Sequence, residues 1–344
     1  MNQVVLFDWG DTVMRVFPEY EGPMACWPRV EAVPGVAEAL RALQPRCRLV
    51  LATNAPASGA APVRQALARV GLEGYFQAVF TARELGVRKP EPAFFQAMLR
   101  ELGCAPHDAT MVGDEYPIDV VGAKAAGLRA VWFNPLVSPC PLIHPLHDAE
   151  VHTLAELPSV LEDLHLPDID ECLALLAEQE VVPRVLEHSQ AAAAVAFRLA
   201  AWLRELGEQV DPLLAHRGGL LHDLDKVTSR RLNQTHGQVS ARILREKGYP
   251  DLANIAERHL IFTILEPASR PATWEEKLVY YVDKIVEDKP VGLARRLEGL
   301  RQRYPAYAEE YDRCAPFLLA LEAEICARLG VSPATLLDRM NQWT

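Results

Sequence analysis

The chain has 344 residues, half of them hydrophobic, and a formal net charge of −11. That length accommodates two separate cores. The acidic surplus argues against broad binding to nucleic acid or anionic membrane, which a negative surface repels. The seven cysteines are odd in number and include no C-x-x-C pair, which fits reduced thiols better than a disulfide framework or a zinc knuckle. No apolar run reaches the roughly 18–20 residues of a membrane span. The first apolar run, residues 4–7, is too short and lacks the basic flank of a secretory leader. A cytoplasmic location is expected.

In chain order, β-rich runs fall at residues 4–7, 48–52, 78–80, 110–112 and 130–133. Helical stretches lie between them at 35–43, 61–70, 93–102 and 119–126. This alternation predicts an α/β doubly wound parallel sheet. Ligands then bind in loops at the carboxyl ends of the strands. Residues 134–148 are rich in Pro and His and read as a loop, with a short Leu-rich helix expected near 154–164. Residues 165–170 read as a linker. From 171 onward the apolar period is helical, as at 195–206, 238–247, 273–286 and 317–328. The expectation is an α/β domain over 1–165 and an all-α domain over 171–344, without internal repeats.

Chemistry-bearing residues of the first half sit where strands end. Asp8, Gly10, Asp11 and Thr12 follow the first strand, Thr53 and Asn54 the second, and Gly113, Asp114 and Asp119 the fourth. Lys89 stands in the Val-Arg-Lys-Pro-Glu-Pro loop. A strand-end carboxylate can attack phosphorus if a cation screens its charge. Asp8, Asp114 and Asp119 could hold one hard Mg²⁺ through oxygens. Thr53, Asn54 and Lys89 could donate to phosphoryl oxygens where charge builds up. Alone, Asp119 or Thr53 would be read as a helix cap.

The ordered set resembles the haloacid dehalogenase superfamily, whose pattern is D-x-D-x-T, a strand-end Ser or Thr, a Lys, and G-D-x-x-x-x-D. The resemblance covers residues 1–165. It implies Asp8 as nucleophile, Asp114 and Asp119 as Mg²⁺ ligands, and Thr53 with Lys89 as the phosphate clamp. The chain departs from the pattern at Gly10, where the family's phosphatases carry an Asp that acts as general acid and base. Gly10 still offers a backbone carbonyl to the metal but cannot move a proton. General acid–base help is worth roughly 10²–10⁴-fold. The expectation is a Mg²⁺-binding domain with weak, altered or absent phosphatase turnover. Short gaps between the motifs leave no room for a large cap, so this half is expected to be capless and its site open unless the second domain covers it.

In the second half the informative residues are His188, the pair His222–Asp223, His236, His259 and Asp283. Imidazole and carboxylate together suit Fe, Mn, Zn or similar divalent ions, and a carboxylate can bridge two of them. Two such ions can activate a water for in-line attack at phosphorus. Lys226, one turn after His222 and Asp223, is expected on the same helical face as a phosphate-holding charge. This H…HD…D layout resembles the HD superfamily of phosphohydrolases over residues 175–290. The two further histidines make it similar to the dinuclear branch, and within it to the bacterial symmetrical diadenosine tetraphosphate hydrolases. The likeness implies one ion on His188, His222, Asp223 and Asp283, and a second on Asp223, His236 and His259. His216 and the loose group His144, His147 and His152 are read as structural. Arg295, Arg296, Arg301 and Arg303 are read as a solvated helix face, with contact to a polyphosphate as the other reading.

Together these features predict a metal-dependent phosphohydrolase acting on a small phosphorylated substrate, a nucleotide phosphoanhydride or phosphodiester. One rival is a nucleic-acid end-processing enzyme. The other is a nucleotide sensor whose first half binds without turnover.

Overall fold

Strands form where the apolar runs place them, because both faces of the sheet are covered and every residue of the inner strands can be apolar. The computed structural model describes residues 3–55 and 58–343. The strands are β1 (Val4–Phe7), β2 (Arg48–Thr53), β3 (Ala78–Thr81), β4 (Ala109–Gly113), β5 (Arg129–Phe133) and β6 (Ala149–Val151). Their order is β3-β2-β1-β4-β5-β6, and each neighbouring pair is parallel. β6 was not expected. It is three residues long, and the Pro- and His-rich loop delivers it to the sheet edge beside β5.

The helices of this half are α1 (Val36–Leu43), α2 (Ala60–Arg69), α3 (Ala82–Leu85), α4 (Pro92–Leu102), α5 (Val121–Ala125) and α6 (Leu157–Glu162). The helix expected at 119–126 begins instead as a wide turn, Tyr116–Val120, that runs into α5. Register brings the site together. Phe7 pairs with Leu51 on one side and Val112 on the other, so Asp8 and Asp114 leave the sheet at one edge, beside Thr53.

The segment between β1 and α1 is not an open loop. Residues 13–15 run against 31–33, with Arg15 N bonded to Glu31 O and Val33 N to Val13 O (2.9 and 3.0 Å). Between them Phe17, Tyr20 and Trp27 pack ring on ring, 5.6–6.5 Å apart. Arg69 of α2 ties this strap down through the carbonyls of Trp27 (2.6 Å) and Ala25 (3.1 Å).

The chain divides into two compact units, residues 1–164 and 165–344. The second is all helical: α7 (Ile169–Glu178), α8 (Pro183–Glu205), α9 (Pro212–Leu221), α10 (Thr228–Leu232), α11 (Gln238–Glu246), α12 (Pro250–Arg258), α13 (Trp274–Asp283), α14 (Leu293–Arg303), α15 (Ala308–Leu329) and α16 (Pro333–Met340). The expected linker 165–170 belongs to this unit. Asp168 caps α7 by accepting from Glu171 N (2.8 Å). Its core is built from Val195, Ala196 and Leu199 of α8, Leu278, Val279 and Val282 of α13, and Leu318 and Ile325 of α15. α8 and α9 pack at very close range. A Cβ on Gly219 would lie 2.7 Å from Ala193 Cα, so only glycine permits that approach. Among the described residues no helix is long and apolar enough to cross a membrane.

Candidate metal centres

The first unit gathers Asp8, Asp114 and Asp119 so that one oxygen from each lies within 4.8 Å of the others. Lys89 is buried among them. Its ammonium donates to Asp8 Oδ1 (2.5 Å) and to Asp119 Oδ1 (2.6 Å). Burial alone would lower the Lys89 pKa, but the two carboxylates outweigh it and hold the lysine charged. Burial pushes Asp114 up to about 6, with the Asp8 charge adding to it and a hydrogen bond from Thr12 Oγ1 (2.7 Å) opposing it. Burial also pushes Asp119 up, against the pull of Lys89. Three carboxylates against the one ammonium of Lys89 leave a formal charge that one divalent cation would balance. Gly113 makes room for them, since a Cβ there would overlap the Asp119 carboxylate.

Thr53 lines the same cavity, and its Oγ1 accepts from Ala55 N (3.0 Å). Asn54, expected to donate to phosphate, is committed elsewhere. Its amide donates to Lys89 O and accepts from Lys89 N, both at 2.9 Å, and so fixes the lysine loop. Gly10 lies on the cavity wall. Asp11 takes a positive φ of 53°, and its carboxylate accepts from Val16 N (2.9 Å). The segment between β1 and α1 adds walls to the site that the motif spacing did not suggest. The strap brings Met24 and Trp27 to the cavity, where they line it together with Trp9. The strap was missed because its turn is built from loop-forming residues, without strand or helix periodicity.

The second unit gathers the remaining candidates into two groups, His188 with His222 and Asp283, and Asp223 with His236 and His259. The expected helical face is corrected here. α9 stops at Leu221, and His222 to Lys226 form turns beyond its end. Lys226 nevertheless reaches Asp223 Oδ2 (2.6 Å).

Each of the four histidines spends Nδ1 on an oxygen of the protein. The acceptors are Glu287 O for His188 (3.1 Å), Gly219 O for His222 (2.8 Å), Ala256 O for His259 (2.6 Å) and Asp225 Oδ1 for His236. In the neutral rings this leaves the Nε2 lone pairs facing inward. They face carboxylate oxygens: His188 to Asp283 Oδ1 at 3.0 Å, and His236 and His259 to Asp223 Oδ1 at 2.7 and 3.5 Å. His222 Nε2 is buried and makes no hydrogen bond among the described residues. It sits 3.6 Å from Asp283 Oδ1 and 3.7 Å from Asp223 Oδ2. Lone pairs that face each other at these distances repel unless a proton or a cation lies between them. The donor set therefore fits divalent ions.

Burial alone would raise Asp223 and Asp283, but hydrogen-bonding and cationic neighbours hold both well below the usual carboxylate range. These are the histidines and Lys226 for Asp223, and Lys284 with His188 and His222 for Asp283. Burial drops His259 to about 4, and His236 is lifted to about 9 by Asp223 and Asp225 against its own burial.

Two participants escape sequence reasoning. Asp225 is fully buried, orients His236, and also accepts from Gly237 N and Ser240 N. Lys284 pairs with Asp283 and donates to His259 O (2.7 Å). Both lie beside motif residues, which is the only signal they carry. His216 bonds Arg217, and His147 bonds the Tyr116 hydroxyl; neither belongs to a metal-type group among the described residues. Arg301 pairs with Asp312 and Arg296 with Glu287.

The comparisons agree with this division. The family model for haloacid dehalogenase-like hydrolases matches residues 4–127, and that for the HD domain matches residues 185–288. A phosphoserine phosphatase of Thermus thermophilus is 44% identical over 71 residues, which is 21% of this chain and 28% of that one. A phosphoglycolate phosphatase of Rhodobacter capsulatus is 34% identical over 160 residues, 46% of this chain and 67% of its own length. The chain thus spans well under two thirds of the Thermus relative. The crystal structure of a HAD phosphatase from Thermococcus onnurineus is 32% identical, covers 38% of this chain and 59% of its own, and aligns with a TM-score of 0.34. On the match to the Rhodobacter relative and the two family models, the chain belongs to the haloacid dehalogenase-like hydrolases and carries an HD domain in its second unit.

Proposed function

We propose that this protein is a metal-dependent phosphohydrolase with two separate sites, and that its HD unit cleaves a nucleotide phosphoanhydride or phosphodiester, of the dinucleoside polyphosphate kind. The observation that carries this reading is the position of Asp223. Its Oδ1 faces His236 and His259, and its Oδ2 lies 3.7 Å from His222 Nε2. One carboxylate thus stands between two ligand groups, as a bridge between two ions requires. His188, His222, Asp223 and Asp283 would hold one ion, and Asp223, His236 and His259 the other. Divalent ions bound there supply Lewis acidity at phosphorus and an acidified water. The protein's own part is to hold the rings through Nδ1 and to offer the Lys226 ammonium as a point charge to a phosphoryl oxygen.

In the first unit Asp8 would attack phosphorus, with Lys89 and Thr53 donating to the phosphoryl oxygens and Asp8, Asp114 and Asp119 holding Mg²⁺. Gly10 supplies no proton to the leaving oxygen, so this unit is a slow phosphatase or a binding module.

The test is product analysis over nucleotides, cyclic nucleotides and dinucleoside polyphosphates, with Mn²⁺ or Fe²⁺ and metal-stripped controls. Symmetrical cleavage of diadenosine tetraphosphate to two ADP, lost in His222→Ala and kept in Asp8→Asn, is the expected result. Activity that survives both His222→Ala and Asp223→Asn would sink the assignment.

A further inference from the structure

The cavity over Asp8 has an unbalanced lining. It encloses about 470 Å³. Five acidic residues line it, Asp8, Asp11, Asp114, Glu115 and Asp119, against one basic residue, Lys89, among the described residues. The Lys89 ammonium is already bonded to Asp8 and Asp119. Formally the lining is four charges negative, and one divalent ion would leave it two charges negative.

No arginine is among the described residues that line it, and those of the strap region are engaged elsewhere. Arg69 is spent on strap carbonyls, Arg15 pairs with Glu31, and Arg29 pairs with Glu31 while lying over the Phe17 ring. Much of the remaining wall is apolar, formed by Trp9, Val16, Met24 and Trp27. The phosphoryl end of a ligand would find the lysine and the ion. A second anionic group at the other end would lie among these apolar side chains, which cannot solvate it, in the negative field of the acidic lining, which repels it.

We infer that this site selects phosphomonoesters whose leaving half carries no negative charge and presents a flat apolar body, such as an aryl or nucleoside group, and that it discriminates against leaving halves bearing a carboxylate. The inference rests on the reading of this cavity as a phosphoryl site.

The experiment is titration calorimetry on the full-length protein with Mg²⁺, using phenylphosphonate and 4-phosphonobenzoate. Neither is hydrolysed, and they differ only in the carboxylate. Inorganic phosphate serves as a third probe. Phenylphosphonate should bind at least about tenfold more tightly than the carboxylated probe, on the scale of one poorly screened like-charge contact. Glu115→Lys, at an exposed rim position, should shrink the gap to within about threefold. Equal or tighter binding of 4-phosphonobenzoate to the wild type would overturn the inference. So would a gap that Glu115→Lys leaves untouched, because the rim charge would then not be its source. Binding of inorganic phosphate in that case leaves the phosphoryl-site reading standing. Failure of all three probes on folded protein defeats that reading, and the preference with it.

Discussion

Asp225 holds the His236 ring at Nδ1 while Asp223 Oδ1 lies 2.7 Å from Nε2 on the opposite side. The ring is pinned between a carboxylate that orients it and a carboxylate that shares its inner space. Asp225 itself is fixed by the backbone N–H groups of Gly237 and Ser240. Asp225→Asn should therefore lower affinity for the ion on His236 and His259 by about 10–100-fold, the usual effect of losing such an orienting partner. Metal titration followed by calorimetry reads this directly. An unchanged affinity would show that His236 needs no such support.

Asp223→Asn should reduce bound metal in the second unit from two ions to one or none, because a neutral amide cannot bridge two cations. His222→Ala should remove the ion shared with His188 and Asp283. Elemental analysis of the purified variants distinguishes the two patterns. Two ions retained in Asp223→Asn would break the bridging geometry.

An acid at position 10 should work best when Val16 is trimmed as well. A Cβ on Gly10 would sit 3.1 Å from Val16 Cγ2, so Val16 must give by a few tenths of an ångström to admit a side chain. Gly10→Asp alone should raise turnover of phenyl phosphate by less than about tenfold. Paired with Val16→Ala it should give about 10²-fold or more, the lower range of general acid–base help. Phosphate release measures both. Equal rates in the single and double variants would clear Val16 of blame.

Gly219→Ala should destabilise the second unit. The added methyl would meet the Ala193 backbone, which cannot move without separating α8 from α9. Overpacking of this kind costs about 1–3 kcal/mol, or roughly 3–10 °C in Tm for a unit of this size. Differential scanning calorimetry checks it.

Removing metal with a chelator should leave the fold intact, with unchanged far-ultraviolet circular dichroism and a Tm lowered by only a few degrees. Each metal-type group already has a lysine on its carboxylates: Lys89 on Asp8 and Asp119, Lys226 on Asp223, and Lys284 on Asp283. Loss of helical signal on chelation would contradict this.

The apolar runs and the ordered motifs carried much of this architecture. Strands β1 to β5 lie where period and composition place them, and the candidate ligands converge in space although up to 111 positions separate Asp8 from Asp119. Three things stayed hidden for physical reasons. β6 is too short to show a period, and it forms only because β5 offers an edge. The strap over Asp8 is held by ring contacts and by Arg69, distant in sequence, and such contacts leave no local pattern. Asp225 has the composition of any helix-flanking carboxylate, and its role arises from burial against His236.

The lysines have a consequence for how the protein comes to be loaded. If the fold survives chelation as expected, the lysine beside each group lets the newly made chain close before metal arrives. Which ion finally displaces the ammonium groups is then decided after folding, by what the surroundings supply, and a change in that supply could re-metal the same molecule without remaking it.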